Sequence, residues 1–205
     1  MQVECVPAGF SAEAWAVVQR KPTARILDCT AGNRHIWGKE KMRDDVIFTD
    51  KEPRLKIPPD LLCEWRDLPQ HFPPDYFHCT IFDPPFYARP ASKWFKVQHC
   101  DPLESNKDKE LGTHWWGETY PYHGAMIRDF VKVQQEFARV SPRLCFKWCD
   151  ADLPVDRILT VFTDWQVQFK QSIIPTSRGK KYGSRTWWVK LVRRTVDDKD
   201  GTEMK

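Results

Sequence analysis

At 205 residues the chain can bury one sizeable core and is too short for two generous ones, so a single domain is expected. A formal net charge of +4 excludes capture of an anionic partner by the global field, and such a partner must be met by local clusters of Lys and Arg. Seven cysteines, odd in number and mostly inside apolar runs, suit reduced core thiols in a cytosolic protein better than a disulfide framework.

Ser11 to Arg20 carries an N-cap residue, good helix formers and a basic end, which predicts a short helix that Pro22 stops. Arg25 to Cys29 reads as a buried strand, Thr30-Ala31-Gly32-Asn33 as a tight turn and His35 to Met42 as a helix. A strand, turn and helix in that order set backbone N–H groups and a close-approach glycine against a bound ligand. Val46 to Asp50 is a second apolar run ending in an acid. Asp50 lies about twenty residues past the glycine turn, the offset at which an acid reaches a ribose diol. Leu61 to Trp65 repeats the pattern, with Glu64 at the tip and Trp65 behind it, before Leu68-Pro69 breaks it.

Phe77 to Phe82 is the fourth strand, and it runs into Asp83-Pro84-Pro85-Phe86-Tyr87. Neither proline has an N–H to continue a ladder and both have fixed φ, so Asp83 sits at a strand's C-terminal lip. Open α/β sheets bind ligands at that lip, and an acid, a rigid turn and a ring in succession can hold a flat polar ring.

Residues 87–124 show no periodicity and are rich in Trp, Lys, Pro and His, as expected of a lid or substrate-binding insertion. Met126 to Val140 has helical spacing, Arg143 to Trp148 reads as a fifth strand, and Pro154 to Phe162 suits a helix. Two β-rich runs, Trp165 to Ile174 and Thr186 to Val192, flank a hairpin-like loop, and 196–205 is a charged, frayed tail. Strands interleaved with helices and closed by a terminal strand pair argue for an α/β fold: a doubly wound, mainly parallel sheet with an antiparallel end. The domain spans 1–195. Met1 to Phe10 has neither a basic n-region nor an apolar h-region, and no stretch reaches roughly eighteen consecutive apolar residues. A soluble, cytoplasmic protein with no membrane partner is therefore expected. Cys145 and Cys149 have no His or second Cys pair beside them, so no metal site is expected.

Together, Ile26 to Arg34, Asp50 and Asp83-Pro84-Pro85-Phe86 resemble, in type and order, the class I S-adenosylmethionine-dependent methyltransferases. The subgroup is that of amino-methyltransferases with an Asp-Pro-Pro-aromatic motif. Arg34 with Trp37 and Thr186-Trp187-Trp188 bring the likeness nearer to small stand-alone enzymes of prokaryotes and phages. The resemblance implies a Rossmann-like methyltransferase fold, with a seven-stranded, mostly parallel sheet, an antiparallel C-terminal strand and helices on both faces. S-adenosylmethionine is the implied cofactor. It would be held by Asp28, Thr30, Ala31, Gly32 and Arg34 on the methionine side, Asp50 at the ribose, and Glu64 with Trp65 at the adenine, Asp67 being the alternative to Glu64.

The resemblance makes Asp83, Pro84, Pro85 and Phe86 the catalytic motif. If Asp83 and the Pro84 carbonyl accept the N–H bonds of an exocyclic amine, the nitrogen is drawn toward a pyramidal geometry and its lone pair is freed for methyl transfer. Phe86 and Tyr87 can stack on an extruded base. Arg178, Lys180 and Lys181 open a basic cluster that continues through Arg185, Lys190, Arg193 and Arg194, suited to phosphate. Trp115 and Tyr120 add stacking surface in the lid. The expected activity is methylation of cytosine N4 or adenine N6 in RNA, ribosomal RNA favoured; a monomer is the default, and the sequence leaves the oligomeric state open. Three readings stand behind it: a DNA enzyme, a protein glutamine or small-amine methyltransferase, and an inactive nucleic-acid-binding module. Asp83 leaves adenine and cytosine both open.

Overall fold

A computed structural model describes residues 5–84, 123–150, 153–173 and 185–195. The 87–124 lid, apart from its last two residues, and the 196–205 tail lie outside the described residues. So do Pro85, Phe86, Tyr87, Trp115, Tyr120, Arg178, Lys180 and Lys181.

The chain opens with α1 (Ala12–Arg20), where Ser11 Oγ accepts the N–H of Ala14 at 3.2 Å and Ala14, Val17 and Val18 face the core. Lys21, at its C-cap, sends its ammonium to the carbonyls of Arg43 and Val46 and to Asp60 at 2.7 Å, tying the helix end to the start of the second strand. Strands β1 (Ile26–Asp28), β2 (Val46–Asp50), β3 (Leu61–Leu62), β4 (Cys79–Phe82), β5 (Arg143–Cys149), β6 (Trp165–Ile173) and β7 (Thr186–Arg193) form one sheet in the order β3-β2-β1-β4-β5-β7-β6. The first five are mutually parallel, while β7 lies between β5 and β6 and is antiparallel to both. This is the mainly parallel sheet with an antiparallel end that the sequence implies. In β2, Val46, Ile47, Phe48 and Thr49 are all buried, as a parallel strand covered on both faces requires.

One core cluster joins the inward residues of the helices to one face of the sheet. It holds Leu27, Ile47, Phe82, Leu144, Phe146 and Trp148 from the strands, together with α1, α2 (Leu68–His71), α3 (His123–Val140) and α4 (Val155–Leu159). Phe82 is its hub, with ring centroids 4.7 Å from Phe137, 5.4 Å from Phe130 and 5.2 Å from Trp65. The other face, over β1 and β2, carries a smaller cluster of Ala31, Val46 and Phe48, against which Ile26 and Trp37 pack.

Three expectations change. The helix expected over His35 to Met42 is a single 3-10 turn, His35–Trp37. Arg34 before it and Gly38 after it have φ of +58° and +57°, and a left-handed residue at each end stops a right-handed helix. The third strand ends at Leu62, because the chain turns into a 3-10 segment, Trp65–Asp67, that carries the Trp65 ring down onto Phe82. Pro69 does not break structure at that point. It occupies the first turn of α2, where a missing N–H costs nothing. The six cysteines described are free, but only Cys29 and Cys63 are buried.

Candidate active site

The strand tips meet at the C-terminal lip of the sheet. Asp28, the last residue of β1, is wholly buried. Its Oδ2 accepts the indole N–H of Trp37 at 2.7 Å and its Oδ1 the N–H of Thr30 at 3.3 Å. Burial pushes its carboxyl up to about 6 against these two opposing bonds. Asp50, at the tip of β2, accepts the N–H of Gly32 at 2.8 Å on one oxygen and that of Glu52 at 2.9 Å on the other. Burial raises its carboxyl as well. Gly32 has φ of +48°, which a side chain would strain, so the β1 loop can turn its N–H onto Asp50. The loop is sewn to β2 a second time by Ala31 N–H to the Thr49 carbonyl at 3.2 Å.

Beside this lies the tip of β4. The N–H of Asp83 donates to Thr30 Oγ1 at 2.7 Å, latching the end of β4 to the β1 loop. Asp83 Oδ2 meets the ammonium of Lys147 on β5 at 2.5 Å. Burial raises the Asp83 carboxyl, and the nearby ammonium opposes the rise. Pro84 is buried behind it.

Arg34 does another job than the one its motif suggests. Its side chain is 2% exposed, lies 3.9 Å over the Phe48 ring, and donates to the carbonyls of Lys41 and Pro58 at 2.8 and 2.9 Å. In this way it clamps the β1–β2 crossover to the segment after β2. Glu64 accepts from the Arg66 guanidinium and stands 3.6 Å from Lys51 Nζ. Arg66 also forks onto Asp129 of α3 at 2.6 and 2.7 Å, and its two acidic partners push the guanidinium up against a burial that would lower it. Trp65 meets Phe82 edge to face and belongs to the core margin. Asp67 only accepts from Gln70 at 3.3 Å among the side-chain bonds seen. In the basic cluster, Arg193 pairs with Asp75 at 2.8 Å and Arg194 donates to the Trp165 carbonyl, so neither is a free phosphate contact.

Sequence reasoning missed Lys147, Trp37 as the partner of Asp28, and the Arg66–Asp129 fork. The only advance signal for Lys147 is a lone charge between Phe146 and Trp148 in an apolar strand. Among the described residues no group of three or more His, Cys, Asp or Glu could hold a metal, and no helix is long and apolar enough to cross a membrane.

No protein-family model matches this chain, and no curated protein matches it. Among solved structures, PH0851 aligns with a TM-score of 0.47 at 14% identity, over 89% of this chain and 46% of its own, so this chain spans under half of that protein. An rRNA methylase from Streptococcus thermophilus aligns at 0.42 and 10% identity, over 93% of this chain and 99% of its own. The hMettl16 catalytic domain in complex with MAT2A 3'UTR hairpin 6 aligns at 0.37 and 13% identity, over 94% and 76%. At such scores these likenesses carry no weight for activity, which has to be argued from the residues.

Proposed function

We propose that this chain is an S-adenosylmethionine-dependent methyltransferase acting on an exocyclic amino group, cytosine N4 or adenine N6, in RNA, ribosomal RNA favoured. The observation that carries the reading is the latch between Asp83 and Thr30: an acid able to hold an amine is fastened at 2.7 Å to the loop whose neighbours suit a nucleoside.

The residues fit the cofactor on two counts. A carboxylate offers about four lone-pair positions, and Asp50 uses two on Gly32 and Glu52, which leaves capacity for a ribose diol. Among the described residues the space beside Gly32 is open, since a Cβ there would meet nothing nearer than the Thr30 carbonyl at 4.0 Å. In this reading Asp28, Thr30, Ala31 and Gly32 line the methionine end, Asp50 the ribose, and Glu64 with Trp65 the adenine end. Arg34 supports the loop from behind. Bound there, the cofactor supplies an electrophilic methyl group.

The chain's own part is positioning and electrostatics. Asp83 Oδ1 and the Pro84 carbonyl accept the two N–H bonds of the amine, withdraw its lone pair from ring conjugation, and aim it at the cofactor side of the lip. Oδ1 can then take up the proton that the methylated nitrogen gives up. Phe86 and Tyr87 supply the stack, worth roughly 1–3 kcal/mol per base, and Trp115, Tyr120, Arg178, Lys180 and Lys181 hold the flanking nucleotides. RNA is placed ahead of DNA because a net charge of +4 suits a shaped, locally charged target better than a long duplex.

The test is incubation with radiolabelled S-adenosylmethionine and, separately, total RNA and genomic DNA, followed by nucleoside mass spectrometry. N4-methylcytosine or N6-methyladenine in RNA is the expected result. Label in DNA alone, or in a protein fraction, moves the activity to another substrate. Label nowhere, with no calorimetric heat on adding cofactor, overturns the reading.

A further inference from the structure

We infer that Lys147 is the positioning residue for methyl transfer: it occupies one oxygen of Asp83 and leaves the other, as part of an anion, for the target amine. The inference rests on the function proposed above and adds to it a residue that the motif does not contain.

The sheet register puts the two side chains together. Phe82 is level with Phe146 on the neighbouring parallel strand, so the next residue on each strand, Asp83 and Lys147, meets on the opposite face. Phe146 and Trp148 point the other way and are buried. Lys147 is thereby held at one height by packing on both sides of it in sequence. Its ammonium sits 2.5 Å from Asp83 Oδ2, with 27% of the lysine side chain and 21% of the aspartate side chain exposed. The pair is therefore largely shielded but still open at the lip. On the other side, Thr30 Oγ1 fixes the Asp83 backbone at 2.7 Å. Among the described residues nothing donates to Asp83 Oδ1.

Two consequences follow for an amine. With Oδ2 taken, the carboxylate cannot rotate to offer the amine its other oxygen, so a single acceptor direction remains. With a positive charge in contact, the ionised carboxylate is favoured against a burial that raises the group and favours the neutral acid. An ionised acceptor makes the stronger hydrogen bond to an N–H, and a protonated one would present a donor to the amine.

Among the described residues, the charged groups that face Asp83 are Lys147 from β5 and Asp28 from β1, the latter acting through space. Removing the ammonium takes away the cause that holds the Asp83 carboxyl down and leaves burial pushing it up. The acid limb of the rate against pH then moves to higher pH.

The experiment compares wild type, Lys147→Met, Lys147→Arg and the Asp83→Asn, Lys147→Met double variant in single-turnover methylation of total RNA at saturating cofactor across pH. Cofactor affinity is measured in parallel by calorimetry. Lys147→Met is expected to lower the rate by about 10²-fold, the usual scale for losing one preorganised electrostatic contact. Its acid limb should move up in pH, with cofactor affinity unchanged. Lys147→Arg is expected to keep the wild-type limb. In the double variant no carboxyl titrates at this position, so the acid limb disappears. An unshifted limb in Lys147→Met, with the rate lowered equally at every pH alongside a lower Tm, would make the pair merely structural and overturn the inference. An inactive wild type that binds no cofactor would instead overturn the function it rests on.

Discussion

The two halves of the lip hold their acids by different means. On the β1–β2 side, Asp28 and Asp50 are surrounded by neutral donors: the Trp37 indole and the N–H groups of Thr30, Gly32 and Glu52. On the β4–β5 side, Asp83 is matched by a charge, Lys147. Burial raises all three acids, Asp28 to about 6; on Asp28 and Asp50 only neutral donors oppose it among the described groups that contact them, whereas on Asp83 a contacting charge does. A contacting ammonium fixes direction and also favours ionisation. On the proposed function, the first arrangement belongs to the acids of the cofactor side, and the second to the acid that meets the amine.

The sharpest way to break that division is to remove one acid from each half. Asp83→Ala is expected to lower turnover by about 10²–10³-fold with cofactor affinity intact. Asp50→Ala is expected to weaken cofactor binding by about ten- to a hundredfold, the loss of hydrogen bonds to a charged acceptor. Calorimetry and single-turnover rates separate the two, and equal loss of cofactor binding in both variants would dissolve the distinction.

Next in size is the pH dependence of stability. The Asp28 carboxyl goes from an ordinary 3.8 to about 6 on folding, so the folded state favours its protonated form. That contribution is fully present below the ordinary value and is lost as pH rises through about 6. Its size is about 3 kcal/mol, since each pKa unit is worth about 1.4 kcal/mol. Urea titrations between pH 4 and 7 should show stability falling across this window, and Asp28→Asn should flatten that part of the curve.

Cutting the latch between the halves comes third. Thr30→Val leaves the N–H of Asp83 without its acceptor, which costs about 1–3 kcal/mol for a buried unsatisfied group. It should also slow methylation while sparing the Trp37–Asp28 bond, which the indole N–H resonance of Trp37, assigned by its loss in Trp37→Phe, can follow. The smallest effect belongs to Arg193→Ala. Its bridge to Asp75 is partly exposed on both sides, and such pairs are worth about 0–1 kcal/mol. RNA affinity should stay unchanged, because Arg193 already has partners in Asp75 and the Ala138 carbonyl.

Much of this was legible in the sequence, and the reason is local. A strand buried on both faces must be apolar along its length, and it becomes polar where it leaves the sheet. Val46 to Asp50 and the run into Asp83 therefore announced both their strands and their tips. The helix-capping serine at Ser11 was equally readable, because a cap is made within four residues of chain. His35 to Met42 misled for the converse reason. Its composition suits a helix, but Arg34 and Trp37 are drawn to the Phe48 ring and to Asp28, and contacts across the sheet outweigh local propensity.

By itself, then, the sequence determined which segments are strands, where their acids stand and the order in which they come. Those properties depend on neighbours along the chain. The tertiary structure alone decided that β7 inserts between β5 and β6, that Arg34 is a buried clamp, that Arg66 forks onto Asp129, and that Asp83 faces Lys147. Each of these joins residues far apart in the chain, and for Asp83 and Lys147 the pairing depends on register. A shift of one residue would have turned Lys147 into the core and a phenylalanine toward the acid.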